Sequence, residues 1–501
     1  MIALLRQKLF APVDAAGLAV FRIMFGALMA WDASRYVVLG WIRSHYLEPE
    51  LALKFAGFEW VARAPAWGMY VIFGIMTGAA TAIALGFFYR VACVLFCLAH
   101  TYVFLVAAEY YLNHAYLISL WVLVMTFLPA NVALSLDGER DPSLRRRSVP
   151  RWAYAVLMLL MACVYVYGSI AKMNPDWLAG EPVRHWLADR AATATPWIAT
   201  QLRREATAMF ISYTGVLFDL LVVPALLFRK TRPFAVAASL CFHLSNHYLF
   251  NIGAFPWLSL MVTTLFFEPD WPRRLPFGLS EPIERWLDGP AEDDEEEEAE
   301  EVAPPPDYEA PPIPIQNRML AAMGVLAALQ ILLPLRHHLY PGDTAWNESG
   351  HIFSWRMKLR DKRGRMTLRV VDKATGKTFV VDPRGQLTDR QYRKATTRPD
   401  LLLYYVHYLR DAYRRDFGME VSIYADAFVS LNYRPEQRFV DPEVDLAATE
   451  STVLGHNHWV TEFEDTPLPS PATRLELGLA TAANRAAAFA RRPARFRTTS
   501  P

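Results

Sequence analysis

Long apolar stretches separated by short polar loops occupy the first two thirds of the chain. A transmembrane helix needs about 20 apolar residues to cross a bilayer. Nine stretches reach or approach that length, at 16–33, 69–88, 91–108, 115–135, 152–172, 209–228, 233–250, 253–267 and 318–335. The pattern predicts a multipass all-α membrane domain of about nine transmembrane helices over residues 1–335. The eighth stretch is short, and the ninth could instead be a buried helix.

The pattern of apolar positions changes after residue 335. Alternation on both sides of "KATG" in "MTLRVVDKATGKTFVVD" predicts a β-hairpin. "RPDLLLYYVHYLRDAYRRDF" has helical spacing, with Pro399 near its start and Gly418 just past its end. "VSIYADAFVSLNYR" predicts one or two further strands. We therefore predict a small α+β extracytoplasmic domain at 336–465, followed by a basic tail rich in alanine and arginine at 466–501.

Composition agrees with a chain that lies largely in lipid, because hydrophobic residues are 53% of the chain and charged residues only 20%. The net charge of +1 gives no overall attraction to nucleic acid, which we do not expect as a partner. Acidic residues concentrate in the proline-rich segment 291–314. We predict that this segment is a disordered cytoplasmic linker, serving either as a docking tail or as a soluble spacer.

Basic loops indicate the orientation in the membrane. "RDPSLRRRSVPR", "RKTR" and "WPRR" follow the fourth, sixth and eighth stretches, and loops rich in lysine and arginine stay in the cytoplasm. The turns after the third, fifth and seventh stretches would then face outward with the C-terminal domain, although the first outer loop also carries four basic residues. The arginine- and alanine-rich composition favours a bacterial inner membrane with a periplasmic C-terminal domain. In a eukaryote, the membrane would be that of the endoplasmic reticulum.

Lys172 ends the fifth apolar stretch and is followed by the polar turn "MNPDW". Most lysines at helix ends extend their ammonium group to the membrane surface. Burial in an apolar pocket instead favours the neutral amine, which can act as a base. Ionisable groups inside membrane segments are candidates for function, so both interpretations of Lys172 stand.

Two further polar clusters lie at the outward ends of apolar stretches. Asn113 and His114 begin the fourth stretch, where they could cap a helix or hydrogen-bond a ligand oxygen. His243, Asn246 and His247 share the end of the seventh stretch. The i, i+4 spacing of the two histidines can bind a metal, but no acidic ligand lies close in the sequence, so we predict a polar pocket and no metal site. The four cysteines lie in apolar runs without a CxxC pair, which argues against disulfides.

Several distinct motifs occur in the order found in a known family. They include "LNHAYLISLWVLVMTFLPAN", "VYGSIAKMNPDWLAGE", "FHLSNHYLFNIGAFPW", "HIFSWRMKLRDK" and "VSLNYRPEQRFVDPEVDL". From about residue 14 to about residue 446, the chain resembles the vitamin K-dependent γ-glutamyl carboxylase family. The resemblance is to its bacterial branch, which carries the horizontally transferred transmembrane domain (HTTM).

The resemblance implies roles for five residues around the cofactor. The family's lysine base matches Lys172. Its asparagine–histidine pair at the quinone headgroup matches Asn113 and His114. His243 and Asn246 match a conserved stretch of the family, and we expect them to bind the cofactor as well.

The glutamate substrate is expected to meet a different set of residues. The family segment associated with substrate binding is similar to "FSWRMK", so the resemblance assigns Trp355 to the substrate. We add Arg434 and Arg438, because a guanidinium fork fits a substrate carboxylate.

The resemblance implies an integral membrane enzyme. It would couple oxygenation of a reduced naphthoquinone of the vitamin K type, which becomes an epoxide, to carboxylation of a glutamyl residue with CO₂. Its partners would be a glutamate-containing peptide or protein, membrane lipid and lipid-soluble quinone, with O₂ and CO₂ as co-substrates. Two alternatives stay open. One is quinone oxygenation with another acceptor or none, and the other is a non-catalytic transporter or scaffold. Against a transporter, the polar residues gather at one face of the membrane and no inverted repeat is visible.

Overall fold

The computed structural model describes residues 2–250, 252–276, 278–288, 306–452 and 455–468. The acidic part of the predicted linker, up to residue 305, lies outside the described residues, as does the predicted basic tail from residue 469. The C-terminal end of that linker, from residue 306, leads into a helix that begins at Ile313. The predicted linker ends at residue 314, so the helix begins two residues earlier than expected. Pro314 lies in the first turn of this helix, where a proline is well tolerated because no intrahelical partner for its missing N–H is needed.

Helices make up most of the chain before residue 336. In chain order they are α1 (Ile2–Leu9), α2 (Ala16–Val38), α3 (Ala66–Leu85), α4 (Tyr89–Val106), α5 (Asn113–Met125), α6 (Leu136–Arg140), α7 (Trp152–Lys172), α8 (Pro175–Leu178), α9 (Val183–Ala191), α10 (Pro196–Leu202), α11 (Glu205–Leu227), α12 (Arg232–Phe250), α13 (Phe255–Thr263), α14 (Glu281–Asp288) and α15 (Ile313–Leu335). Two short strands, β1 (Pro12–Asp14) and β2 (Ser148–Pro150), pair antiparallel.

Six of the described helices are long and apolar enough to cross a membrane, namely α2, α3, α4, α7, α11 and α15. The predicted multipass helical domain is confirmed at this level. The predicted number of nine spans is not established, because α5 and α13 are shorter apolar helices and α12 carries several polar side chains. The stretch predicted at 115–135 yields only the helix α5. The chain leaves this helix ahead of Pro129, and a residue before proline disfavours helical geometry.

The C-terminal part contains the predicted sheet and helices. Its elements are α16 (Thr344–Asn347), β3 (Lys362–Asp372), β4 (Thr378–Val381), α17 (Asp389–Ala395), α18 (Pro399–Phe417), β5 (Val421–Leu431) and β6 (Gln437–Arg438). The strand order is β4-β3-β5-β6, and all three pairings are antiparallel. The predicted hairpin is confirmed as β3–β4. The predicted helix is confirmed as α18, which ends at Gly418 with φ 66°, a left-handed conformation that glycine adopts without strain.

Alternation of side chains explains how the sheet is buried. Every second residue of β5, from Val421 to Leu431, points into the core, as expected for the twofold period of a strand. The buried face of α18, which includes Leu402, Val406 and Leu409, packs into the same core. The last predicted stretch therefore forms one long central strand and not two.

The connections between the membrane helices form two groups, one at each end of the helices. The connections of the first group contact the C-terminal part. Gln391 donates to Glu109 Oε1 (2.8 Å) and to the carbonyl of Leu51 (2.5 Å), and Arg398 donates to the carbonyl of Ala108 (3.1 Å). The connections after α2 and α4 thus support the C-terminal part.

The second group of connections contacts itself at the other ends of the helices. Gly17 N–H donates to the carbonyl of Pro269 (3.0 Å), and Arg151 N–H donates to the carbonyl of Ala11 (3.0 Å). The fully buried Arg22 holds the connection after α5 by donating to the carbonyls of Ala130 (2.9 Å) and Ala133 (3.1 Å). Each of the long helices joins the two groups.

Candidate active site

Lys172 ends α7 and lies in an ion pair with Asp219 of α11. Both side chains are buried, with Lys172 8% exposed and Asp219 5% exposed. An isolated charge at either position would carry a large desolvation cost, whereas the pair is neutral overall. The lysine therefore does not extend to the membrane surface. It is retained inside the protein by a carboxylate on a neighbouring helix.

Two glycines leave room for this pair. A Cβ atom at Gly168, one turn before Lys172, would lie 3.1 Å from Asp219 Oδ2 and 3.8 Å from Lys172 Nζ. A Cβ atom at Gly215 would lie 4.0 Å from Lys172 Cδ. Trp177 covers the pair from the turn that follows α7, with its ring centre 5.7 Å from Lys172 Nζ. Its indole N–H donates to the carbonyl of Ser212 (2.9 Å), which fixes the ring.

A second buried polar pair lies on the same side of α7. Tyr165 precedes Lys172 by about two turns, and its hydroxyl lies 2.9 Å from Nε2 of His243 on α12. His243 is fully buried, and its Nδ1 has no hydrogen-bond partner among the described residues. Phe218, next to Asp219, packs on both rings at 5.8 Å and 5.6 Å. Helices α7, α11 and α12 therefore bring the two polar pairs to one place.

Phe255 of α13 connects His243 to the residues at the start of α5. Its ring centre lies 6.2 Å from that of His243 and 6.1 Å from that of His114. His114 is half-buried. Asn246 is half-buried one turn after His243, and no hydrogen bond among the described residues joins it to the other candidates. Phe255 thus connects His243 to His114, and Phe218 connects His243 to the helix that carries Asp219, the partner of Lys172.

Asn113 faces the C-terminal part. Its Oδ1 accepts a hydrogen bond from Tyr111 (2.9 Å), and its Nδ2 donates to the carbonyl of Arg356 (3.4 Å). Trp355, the neighbour of Arg356, is fully buried and belongs to the core formed by the membrane helices. Its ring packs on Tyr116 of α5 at 5.0 Å. Its indole N–H has no partner in the described part of the chain.

Of the two arginines predicted to bind the substrate, Arg434 lies at the edge of this cluster and Arg438 lies outside it. Arg434 forms a two-pronged ion pair with Asp176, in the turn after Lys172, at 2.6 and 2.8 Å, and Asn432 donates to the same carboxylate (2.7 Å). Arg438 pairs with the exposed Asp426 across the sheet (2.9 Å). The fork of Arg434 is already occupied, so a substrate carboxylate would have to compete with Asp176. Both assignments to the substrate stay predictions.

Comparison with protein families matches both parts of the chain. The model of the HTTM domain matches residues 10–271, more than half of the sequence. The model of the vitamin K-dependent gamma-carboxylase lumenal domain matches residues 315–466. The chain belongs to the vitamin K-dependent gamma-carboxylase family. Comparison with solved structures gives no match.

The two matched regions of this carboxylase family member meet at the candidate site. The HTTM region contributes Asn113 and Asp176, and the lumenal region contributes the carbonyl of Arg356 and the side chain of Arg434. The apolar helices and the lumenal-domain match together identify a membrane protein whose second domain borders the polar cluster.

Sequence reasoning about the carboxylase site missed three residues that contact the candidates. Asp219 gives the strongest signal in retrospect, because it lies inside the apolar stretch 209–228 and intramembrane carboxylates are rarely incidental. Asp176 follows Lys172 directly in the turn but gives no sign of its partner, which is far away in the sequence. Tyr165 gives none, because tyrosine is common in apolar helices.

Proposed function

We propose that the protein is a γ-glutamyl carboxylase-like enzyme of the membrane, which couples oxygenation of a reduced naphthoquinone to carboxylation of a glutamyl residue with CO₂. The observation that carries the proposal is the buried pair of Lys172 and Asp219 beside the pair of Tyr165 and His243. Among the described residues, these groups supply a base and hydrogen-bonding partners in a site enclosed by apolar side chains.

The proposed topology has nine crossings. The ends of α5, α12 and α13 contact the same two groups of connections as the long helices, which supports these helices as crossings despite their composition or length. For example, Arg232 at the start of α12 contacts Glu268 (3.1 Å), whereas Phe250 at its end packs on Trp186 (5.8 Å). We propose a bacterial inner membrane, with the lumenal-type domain in the periplasm.

The residues fit a reduced naphthoquinone. The cluster offers aromatic surface at Phe255, and two buried nitrogens, Nδ1 of His243 and Nε1 of Trp355, have no partner in the described structure. We assign the headgroup to Asn113, His114, His243 and Asn246 by the family resemblance. When bound, the reduced naphthoquinone would supply, with O₂, a base much stronger than any side chain, and it would leave as the epoxide. The chemistry needs no metal.

Lys172 would act as the initial base for a hydroxyl proton of the bound hydroquinone. To accept that proton at Nζ, the amine must be neutral, and Asp219 Oδ2 is the nearest group that can hold the proton displaced from it. The site is buried, so a proton moved between the two partners leaves the pair neutral and creates no isolated charge. General base catalysis of this kind typically contributes about 10²–10⁴-fold in rate.

Fewer residues of the site are candidates to contact the glutamyl substrate. Trp355 reaches the membrane core beneath the lumenal domain, where it could contact a glutamyl side chain delivered by a peptide or protein. One observation favours a second candidate function, quinone oxygenation with a different acceptor. The guanidinium fork of Arg434 is held by Asp176, and Arg438 lies on the outer part of the sheet.

The experiment that tests the proposal measures two products separately. Detergent-purified protein receives reduced vitamin K, labelled bicarbonate and a short glutamyl peptide, and epoxide and fixed label are both quantified. We expect wild type to make both products and Lys172→Ala to make neither, while the exposed Lys377→Ala variant behaves as wild type. Epoxide without fixed label would support the second candidate. If wild type produces neither, even with menaquinone-type quinones, the proposal of an enzyme is wrong.

A further inference from the structure

An open cavity of about 320 Å³ lies on the lumenal-domain side of the membrane helices. Its lining is formed by Arg190 at the end of α9 and by His247, Tyr248 and Leu249 at the end of α12. Small-molecule sites occupy roughly 300–1,000 Å³, so the cavity has room for a ligand group. It lies outside the cluster around Lys172 and takes no part in the proposed chemistry.

The cavity presents hydrogen-bond donors and a fixed positive charge. Arg190 uses Nη1 to donate to Thr193 (3.1 Å), and its guanidinium lies 4.3 Å from the ring centre of Tyr248. Its Nε is buried and has no partner in the described part of the chain. An arginine always carries its charge and has donors only, so the missing partner must be an acceptor, and an anion fits best.

Aromatic side chains place the cavity at the boundary between lipid and water. Trp197 is 74% exposed, and Trp257 packs on His247 at 5.5 Å while exposing part of its ring. Tryptophans of this kind mark the headgroup level of a membrane. Trp186, one turn before Arg190 on α9, lies 4.9 Å from Nζ of Lys358 in the lumenal domain, so the cavity opens beneath the edge of that domain.

An apolar stripe continues from the cavity toward the middle of the membrane. Leu244 and Leu240 are exposed on α12. They precede His247 by three and seven residues, which places all three on one face of the helix. A ligand with a charged head at Arg190 could therefore lay an acyl chain along this stripe.

We propose that the cavity binds the phosphate of an anionic phospholipid in the leaflet beneath the lumenal domain. The Arg190 fork binds the phosphate, since guanidinium groups match phosphate oxygens in geometry and charge. His247 and Tyr248 donate further hydrogen bonds, and the acyl chain lies on Leu244 and Leu240. A quinone headgroup has no charge to match Arg190. Inorganic phosphate has the charge but gains nothing from the stripe.

The test compares wild type with Arg190→Gln in phosphatidylcholine nanodiscs. Short-chain phosphatidylglycerol, short-chain phosphatidylcholine, menaquinone and inorganic phosphate are titrated separately, and bound lipid is also counted by native mass spectrometry. Arg203→Gln is the matched control, because Arg203 is an exposed arginine in the same group of connections. We expect phosphatidylglycerol to bind Arg190→Gln about tenfold to a hundredfold more weakly, the range for losing charge-assisted hydrogen bonds, while the control binds as wild type. Arg190→Lys, which keeps the charge and loses the fork, should fall between the two.

Three outcomes overturn the proposal. Equal binding of phosphatidylglycerol by both glutamine variants would mean that the general basic surface attracts the lipid. Binding of inorganic phosphate as tight as that of phosphatidylglycerol would make the cavity a site for a free anion. If menaquinone binds in an Arg190-dependent way and phosphatidylglycerol does not, the cavity would be an entrance for quinone. None of these readouts uses carboxylation, so failure of the proposed function would leave the result intact.

Discussion

The pair of Lys172 and Asp219 is the residue-scale feature on which the proposed chemistry depends. A lysine at the end of an apolar helix can be a surface anchor or a base, and the sequence alone leaves both open. The carboxylate of Asp219 allows the Lys172 side chain to be buried, because it removes the cost of an isolated ammonium group. The same contact gives Lys172 a partner with which to exchange a proton.

Asp219→Asn tests that exchange. The amide keeps the shape of the carboxylate but cannot hold the displaced proton, so the rate of epoxide formation should fall by about 10²–10⁴-fold. Epoxide is measured under saturating hydroquinone, with thermal unfolding to check that the variant is folded. Asp426→Asn is the control, since Asp426 pairs with Arg438 on the exposed side of the sheet. A folded Asp219→Asn protein with the wild-type rate would show that Asp219 only stabilises the fold.

The hydrogen bond between Tyr165 and His243 should contribute to the free energy of unfolding. In Tyr165→Phe, the buried Nε2 of His243 loses its partner, and an unsatisfied buried polar group costs about 1–3 kcal/mol. The double variant Tyr165→Phe/His243→Phe should recover much of the loss, because removal of both partners leaves no unpaired group. Thermal unfolding in detergent measures both effects. Tyr213→Phe, at an exposed position of α11, should match wild type. A double variant less stable than the single one would contradict this account.

At the scale of elements, α7 is coupled to the lumenal domain through the turn that follows it. Asp176 in this turn accepts both prongs of Arg434 and a further hydrogen bond from Asn432. The helix that ends in Lys172 is thereby held from both sides of the domain boundary. The position of the candidate base depends on a residue that lies in a different domain.

Arg434→Gln should therefore be costly, while the neighbouring Arg438→Gln should not. Removing one partner of a buried ion pair destabilises a protein by about 3–5 kcal/mol, whereas exposed pairs contribute about 0–1 kcal/mol. Arg434 is buried and Arg438 is not. Unfolding midpoints of both variants give the comparison. If Arg434 instead binds only substrate, its variant would keep wild-type stability and show a raised KM for the glutamyl peptide.

The elements with strong local signals were the predictable ones. The β3–β4 hairpin and α18 follow from alternation, a turn sequence, and proline and glycine at the helix ends. The span at 115–135 was predicted too long, because hydrophobicity continues past the point where Pro129 and the contacts of Arg22 direct the chain out of α5. The insertion of Trp355 into the membrane core and the partners of Lys172 and Arg434 depend on contacts between distant segments. No local pattern encodes such contacts.

At the scale of the whole molecule, the lumenal domain meets the membrane domain through a surface rich in cations. Glu348 lies among them, and Arg360 and Lys362 hold its pKa well below the usual range despite its burial. Lys394 of α17 forms no ion pair with an acidic residue in the described part of the chain. Burial and the positive charges of Arg398, Arg390 and Arg360 together lower its pKa from 10.5 to about 7, and Glu348 only partly opposes them.

The shift of Lys394 predicts a stability that rises with pH. Between about pH 7 and pH 10.5, the folded protein keeps Lys394 neutral while the unfolded chain holds the proton, so unfolding takes up about one proton at this site. Stability from this group is lowest below pH 7 and increases as the pH rises through that window. Lys394→Met removes the charge and should raise the unfolding midpoint most at pH 6 and much less at pH 9.

The comparison with Lys377→Met separates this effect from a general loss of positive charge. Lys377 lies exposed in the turn between β3 and β4, away from the domain boundary, so its removal should change the midpoint little and equally at both pH values. If Lys394→Met lowers the midpoint at pH 6, the ammonium group must have a hydrogen-bond acceptor or a counter-charge in the folded protein. A stabilised Lys394→Met protein would instead show that repulsion among these cations destabilises the folded protein. Such a destabilising cluster of positive charge would be expected of a surface that binds an anionic substrate at the junction of the two domains.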